Sequence, residues 1–443
     1  MRDQPDTPFG VLEISSRILR LVMNAVVKAA ELFGFWQYPL KNAATASEEM
    51  GLPDHLYWVY KCKNPITRVE KGERAENLFA VGKRVVGLPQ GFAKQASLTF
   101  GSVGDLLFAE GLEHSKDIIF ENIADLLFGN TISFANFESP ITEQELKKEI
   151  IGDKGPPTEC CSSDQFDILK GHKGKCFTVL NTANNHMFDM GVEGIETTQR
   201  VLSENGIVNI GTNSNADEFG KGKVLVKEGI KLGFVSATFG LNGRKVPEDE
   251  SYRVNVAKLL PKFSEPELDI VKQQIEDCKK QGCDFIIASL HWGYEFEFFP
   301  RKRQIDIAHE LVEMGVDAII SHHPHVIQPI EYYQTRRDPY RLAVIAYSLG
   351  TLTWRFTAPH LALSAILNLT LAKGSFGDRE ITYIENVHVT PVFRSFIRRN
   401  GKPIARIEKL ADHIGKHSAD YSDDYITQIK RYVDLVLNEQ SSS

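Results

Sequence analysis

Ser321-His322-His323-Pro324-His325 places three histidines within four residues, directly behind the apolar run Val316-Asp317-Ala318-Ile319-Ile320. The run is short, rich in branched side chains and preceded by Gly315, the pattern of a buried strand. Imidazoles delivered from the end of such a strand constrain the fold. An α/β protein keeps its ligand chemistry at the carboxyl ends of its strands, and neutral imidazole suits Zn, Fe, Mn or Ni. Taken alone, the stretch also reads as a polar loop with one structural histidine.

Four more apolar runs end in polar side chains. Cys283–Leu290 ends at His291-Trp292-Gly293, and Phe177–Leu180 runs into Asn181-Thr182-Ala183-Asn184-Asn185-His186. Ile132–Ala135 ends at Asn136-Phe137-Glu138, and Leu98–Val103 at Gly104-Asp105. Each end has an ordinary structural reading. Strands laid side by side in one sheet bring all five ends to one rim, and that joint pattern reads as a shared metal site.

In this order, Gly104-Asp105, Asn136-Phe137-Glu138, Ala183-Asn184-Asn185-His186-x-x-Asp189, His291-Trp292-Gly293-x-Glu295, His322-His323-Pro324-His325 and Tyr347-Ser348-Leu349-Gly350 resemble the motifs of CapA-type capsule or poly-γ-glutamate synthesis proteins, over roughly residues 96–370. The resemblance implies a calcineurin-like metallophosphoesterase fold, a four-layer α/β/β/α sandwich, with two divalent metal ions. By motif, Asp105 binds one metal, Glu138 bridges both, Asn185 and His291 bind the second, His323 joins the second and His325 the first. His186 takes the place of a general acid near the leaving group. Mixed oxygen and nitrogen ligation favours Mn, Fe or Zn over Ca or Mg. The implied chemistry is two-metal hydroxide attack on a phosphoester or amide.

The chain departs from the pattern in places. Leu107 stands where many metallophosphoesterases carry a further histidine, Ser321 where a glycine is common, and Thr351 where an asparagine usually follows Ser-Leu-Gly. Asp189 is a candidate to orient His186, with capping of the following helix as the alternative. Glu295 either faces the metals or pairs with Arg301 or Arg303. Trp292, with Glu295, His322 and Tyr347, is a candidate substrate contact, with core packing the alternative for Trp292.

Composition places the chain among globular enzymes: 42% hydrophobic and 25% charged over 443 residues. A net charge of -7 gives no support for nucleic-acid binding. The expected partner is an anionic or amide-containing substrate, such as a γ-glutamyl polymer. Six cysteines without a metal or disulfide pattern fit reduced thiols and a cytoplasmic setting. Residues 11–35 alternate apolar and charged positions and read as amphipathic helix packed on the body; peripheral membrane contact is the alternative. No signal peptide or membrane span is legible.

Three segments are expected: a helical extension over 1–94 that covers the active-site rim or builds an oligomer interface, a catalytic domain over 95–397, and a helical tail over 398–443. The pattern predicts helices over 193–205, 266–281 (with Pro266 in the first turn), 304–314 and 419–440. It predicts a hairpin turning at Glu228-Gly229 and strands over 342–352, 362–371 and 381–392, with Gly155-Pro156-Pro157 marking a loop. The leading reading is a metal-dependent hydrolase. A non-catalytic subunit of a polymer synthesis complex and a tailoring enzyme acting on amides or carboxylates are the alternatives.

Overall fold

The computed structural model describes residues 4–73, 86–155 and 157–437. Two helices open the chain, α1 (Arg17–Phe33) and α2 (Leu52–Lys61). The first half of the body then gives strands β1 (Ala93–Leu106), β2 (Ile132–Phe137), β3 (Val179–Asn181) and β4 (Val208–Ile210) with helices α3 (Ser163–Leu169) and α4 (Gly191–Glu204). The second half gives β5 (Lys223–Lys227), β6 (Ile230–Thr238), α5 (Asp269–Lys280), β7 (Phe285–His291), α6 (Lys302–Glu313), β8 (Ala318–His322), β9 (Ile330–Gln334), β10 (Leu342–Ala346) and β11 (Thr351–Thr353). A meander of β12 (Leu363–Phe376), β13 (Arg379–Arg399) and β14 (Lys402–Lys409) and the helix α7 (Asp423–Leu437) complete it.

The strands form two main sheets. One has the order β14-β13-β12-β1-β2-β3-β4, with β11 also pairing with β1; the other runs β9-β10-β8-β7-β6-β5. In the first, β1 through β4 are parallel, so their carboxyl ends share an edge. In the second, β6, β7, β8 and β10 are parallel. The five predicted ends therefore lie on two sheets, three on one and two on the other, and meet because the sheets face each other.

Alternation along the strands sorts the core into layers. Phe100, Phe134 and Val179 from one sheet and Phe234, Ile287 and Ile320 from the other fill the space between them. Leu106, Ala135 and Leu180 point outward, sharing a core with Phe166 of α3 and Leu202 of α4. Ala288 and Ile319 do the same with Ile275 of α5 and Leu311 of α6. This is the expected four-layer sandwich.

Several local expectations are corrected. Residues 402–409 form β14 and β13 runs to Arg399, so among the described residues of the 398–443 segment the helical part is a short 3-10 turn, Leu410–Asp412, and α7. Leu342–Leu352 is two strands, broken at Ser348-Leu349-Gly350, where Gly350 takes φ +76°. Helix α5 starts at Asp269, leaving Pro266 ahead of it. Pro156 of the predicted loop and residues 438–440 of the predicted last helix lie outside the described residues. No described helix is long and apolar enough to cross a membrane.

Candidate metal centre

The five strand ends converge as their motifs imply. Asp105 is the penultimate residue of β1, Glu138 follows β2, Asn185 follows β3, His291 ends β7, and His322 ends β8 with His323 and His325 just beyond it. Donor atoms of Asp105, Glu138 and His325 lie within 4.8 Å of one another; so do those of Glu138, His291 and His323, and those of Glu295, His323 and His325.

Gly104 shows how tightly the first ligand is seated. A Cβ on it would stand 1.7 Å from the carbonyl oxygen of Gly350, so only glycine lets β1 lie against the Ser348-Leu349-Gly350 turn. Asp105 is next in the chain, and its N–H donates to that same carbonyl at 3.1 Å. The histidine loop is held in an unusual shape: His323 has φ +97° and His325 φ +57°. Left-handed backbone at a non-glycine residue costs on the order of 1–3 kcal/mol and persists where surrounding contacts enforce it.

Asn136 is the hub of the carboxylate side. Its Nδ2 donates to Asp105 Oδ1 at 2.9 Å and to Glu138 Oε2 at 3.4 Å. Its Oδ1 accepts from Asn181 Nδ2 at 2.9 Å and Asn184 Nδ2 at 3.4 Å. The sequence motif contains Asn136, but its role as a brace between strand ends was legible only once β2 and β3 were paired.

What remains free is informative. Asp105 Oδ2, Glu138 Oε1, Asn185 Oδ1, His291 Nε2, His323 Nδ1 and both nitrogens of His322 are buried without a hydrogen bond. Native proteins rarely leave buried polar atoms unpaired. Glu138 Oε1 and His291 Nε2 face each other at 3.3 Å without bonding. Two ligands bonded at ~2.0–2.2 Å to one ion stand about that far apart. The donor set, carboxylate with imidazole and amide oxygen, is that of a divalent transition-metal site, and these residues fit one.

The charges agree. Burial pushes Glu138 above the usual carboxylate range, and the neighbouring Asp105 charge adds to it. Burial works the same way on Asp105, but the His322 and His325 imidazoles beside it, 3.4 and 3.2 Å away, outweigh burial and hold Asp105 well below. Burial keeps His291 and His323 neutral, the form in which imidazole binds metal.

His186 stands beside this cluster, not within it. Its Nδ1 bonds Asp189 Oδ2 at 2.7 Å. Asp189 also accepts the Glu159 N–H at 2.7 Å and pairs with Arg244 at 2.7 Å. The cap of α4 is Met190, without a side-chain bond, so Asp189 braces the imidazole and caps nothing. Burial disfavours the charged imidazole, but the Asp189 charge prevails and holds the His186 pKa above its ordinary value.

Three candidate substrate contacts are buried away from the cavity, and Trp292 takes its core-packing alternative. Trp292 and Tyr347 are fully buried in the outer core behind the second sheet, bonded to Ser321 Oγ and Glu331 Oε2 at 2.9 and 2.7 Å. Both are apolar plates whose polar tips are satisfied inside. His322 lies inside the cluster, 3.4 Å from Asp105, and has no exposed face for substrate. Glu295 does not pair with Arg301 or Arg303: Arg301 holds Glu297, and Arg303 holds Glu265. Glu295 instead accepts from Trp58 Nε1.

A cavity of about 180 Å³ opens onto the site. Its walls include Thr45, His55 and Trp58 of the N-terminal extension, with Leu107, His186 and His323 of the body. The extension thus covers the rim, and Trp58 is a site residue that no motif announced. A larger cavity of about 480 Å³ lies where the edges of the two sheets meet, lined by Asn209, Thr212, Asn213 and Gln274, and touches none of the candidate ligands.

A family model described as "Bacterial capsule synthesis protein PGA_cap" matches residues 99–353. The chain is 29% identical over 299 residues to the PGA biosynthesis protein CapA of Bacillus subtilis, spanning 66% of this chain and 73% of that one. It is 28% identical over 264 residues to the capsule biosynthesis protein CapA of Bacillus anthracis, 57% of this chain and 59% of that one. Among solved structures, the calcineurin-like phosphoesterase YfkN from Bacillus subtilis aligns over 76% of this chain and 97% of its own at 14% identity, with a TM-score of 0.35 too low to carry an argument. The model match covers more than half of the chain and every candidate ligand, and the protein belongs to the PGA_cap family of bacterial capsule synthesis proteins.

Proposed function

We propose that this protein is a metal-dependent hydrolase that binds two divalent cations, Mn, Fe or Zn, and cleaves a phosphoester or a γ-glutamyl-type amide in an anionic polymer. The observation that carries the reading is the ring of buried, partnerless donor atoms drawn from both sheets. Asp105, Glu138 and His325 would hold one ion, and Glu138, Asn185, His291 and His323 the other. Bound there, divalent cations would supply the Lewis acidity that activates a water and stabilises a tetrahedral centre. The chain supplies the rest. His186, whose charged form is favoured by Asp189, lines the cavity and gives its proton to the departing oxygen or nitrogen. Arg244 and the Glu159 N–H fix Asp189, so the imidazole keeps one orientation.

The relatives named for PGA and capsule biosynthesis support the amide arm. The test is elemental analysis of the purified protein beside His323→Ala, followed by phosphoester and γ-glutamyl amide assays with the metal found. Near-stoichiometric metal, lost in the variant, is the expected result. No metal after reconstitution at neutral pH sinks the hydrolase and leaves a binding subunit of a polymer synthesis complex.

A further inference from the structure

We propose that Glu295 is an additional metal ligand at the mouth of this centre and that Trp58 of the N-terminal extension is the residue that positions it. The inference rests on the metal-centre reading above and adds to its ligand set.

Glu295 sits on a short loop after β7 that is stitched to the histidine loop. The Trp292 N–H donates to the His322 carbonyl at 3.1 Å and the Phe296 N–H to the Pro324 carbonyl at 2.8 Å. Phe296 takes φ +61° to turn the chain there. The two loops are therefore tied together, and the Glu295 carboxylate lines the same cavity as His323 and His325.

Its two oxygens are divided. Oε2 accepts the Trp58 indole N–H, which leaves Oε1 aimed at His325 Nε2, 3.9 Å away. That is too long for a hydrogen bond but within the ~3–4 Å separation of two atoms bonded to one ion at ~2.0–2.2 Å. His325 is oriented to match. Its Nδ1 lies 2.8 Å from Thr351 Oγ1 and 3.2 Å from Asp105 Oδ2. A proton on Nδ1 is satisfied there, which would leave the Nε2 lone pair to an ion on the Glu295 side. Thr351, the residue that departs from the family's late motif, is thus the partner that fixes this imidazole.

Among the described residues no Lys or Arg forms a salt bridge with Glu295. Lys61 and Arg301 are both committed to Glu297, at 3.1 and 2.9 Å. Leu107, which supplies no ligand, lines the same cavity. A centre short of one imidazole on its open side and a carboxylate pinned beside its histidines are complementary observations. They also give the extension a task beyond covering the rim. Residue 58 lies outside the matched family segment, yet it sets the direction of a carboxylate inside that segment.

The experiment is calorimetric titration of the chelator-stripped full chain with Mn2+, on wild type, Glu295→Gln and Trp58→Phe. Thermal melts of the stripped proteins run alongside. The expected result is two binding events in wild type and, in Glu295→Gln, one of them weakened at least about tenfold with an unchanged melt. Trp58→Phe shifts the same event in the same direction by less, because its carboxylate survives but is no longer aimed. Glu295→Gln that binds like wild type overturns the inference while leaving the metal centre standing. A wild type that binds no Mn2+ overturns both.

Discussion

At the residue scale the chemistry turns on which side chains are braced and which are left bare. Asp189 shows the first case. It is fully surrounded by donors from three segments, and the consequence passes to His186. Asp189→Asn keeps the shape and removes the charge, so the His186 pKa falls as burial goes unopposed. For a general acid, the alkaline limb of the pH–rate profile should move to lower pH. Activity at neutral pH should drop by roughly 10²–10⁴-fold, the range for losing a positioned acid. A profile that keeps its alkaline limb would remove His186 from the proton transfer. These roles were partly legible in sequence: the spacing His186-x-x-Asp189 admitted both a brace and a cap, and only the contact of Asp189 with Nδ1 decided between them. Trp292 went the other way. Adjacent to a ligand in sequence, it points to the opposite face of the strand, as alternation requires, and sits in the outer core.

At the scale of elements, the N-terminal extension is fastened by buried charge. Glu297 accepts from Tyr57 Oη at 3.0 Å and Lys61 Nζ at 3.1 Å of α2, and from Arg301 at 2.9 Å. A backbone bridge between Ile66 and Glu297 lies beside them. Removing the carboxylate leaves two cations buried beside each other, a change that costs about 3–5 kcal/mol. Glu297→Ala should therefore expose α2 to limited proteolysis and lower the melting temperature, and a variant as resistant as wild type would show that apolar contacts alone hold the extension. Helix α1 makes the contrasting case. Val27 and Ala30 face the body, while Ile18, Leu21, Val22, Leu32 and Phe33 are exposed. Leu21→Gln with Leu32→Gln should leave the melt within about 0.5 kcal/mol of wild type. Amphipathic spacing announced this helix correctly, since 3.6-residue periodicity is a local property. The break in 342–352 was hidden because every residue there is apolar or small. What splits the strand is a long-range event, the docking of Gly350 against Gly104.

For the whole molecule, two effects tie stability to conditions, and they separate by pH. His360 is buried beside Tyr432, and burial pushes its pKa down to about 3. Its unfolded value is near 6.5. The folded state thus refuses a proton that the unfolded state accepts, so the contribution is fully present above pH 6.5 and is lost as pH falls toward 3. Metal-free protein should lose roughly 1.4 kcal/mol per pH unit from this group between about pH 6 and 4, and His360→Leu should flatten that slope in denaturant titrations. The second effect comes from the metal centre, whose proposed ligands are shared between the sheets: Asp105, Glu138 and Asn185 from one, His291, His323 and His325 from the other. An ion held there would join the two halves of the sandwich across their common edge. It binds the folded chain and not the separated sheets, so its free energy of binding appears as folding stability, about 2.7 kcal/mol at a hundredfold excess over Kd. At pH 7.5, where His360 contributes no slope, chelation should lower the melting temperature and Mn2+ or Zn2+ should restore it. His323→Ala should melt at the same temperature with and without chelator. A metal-dependent melt that survives His323→Ala would place the stabilising ion elsewhere in the fold.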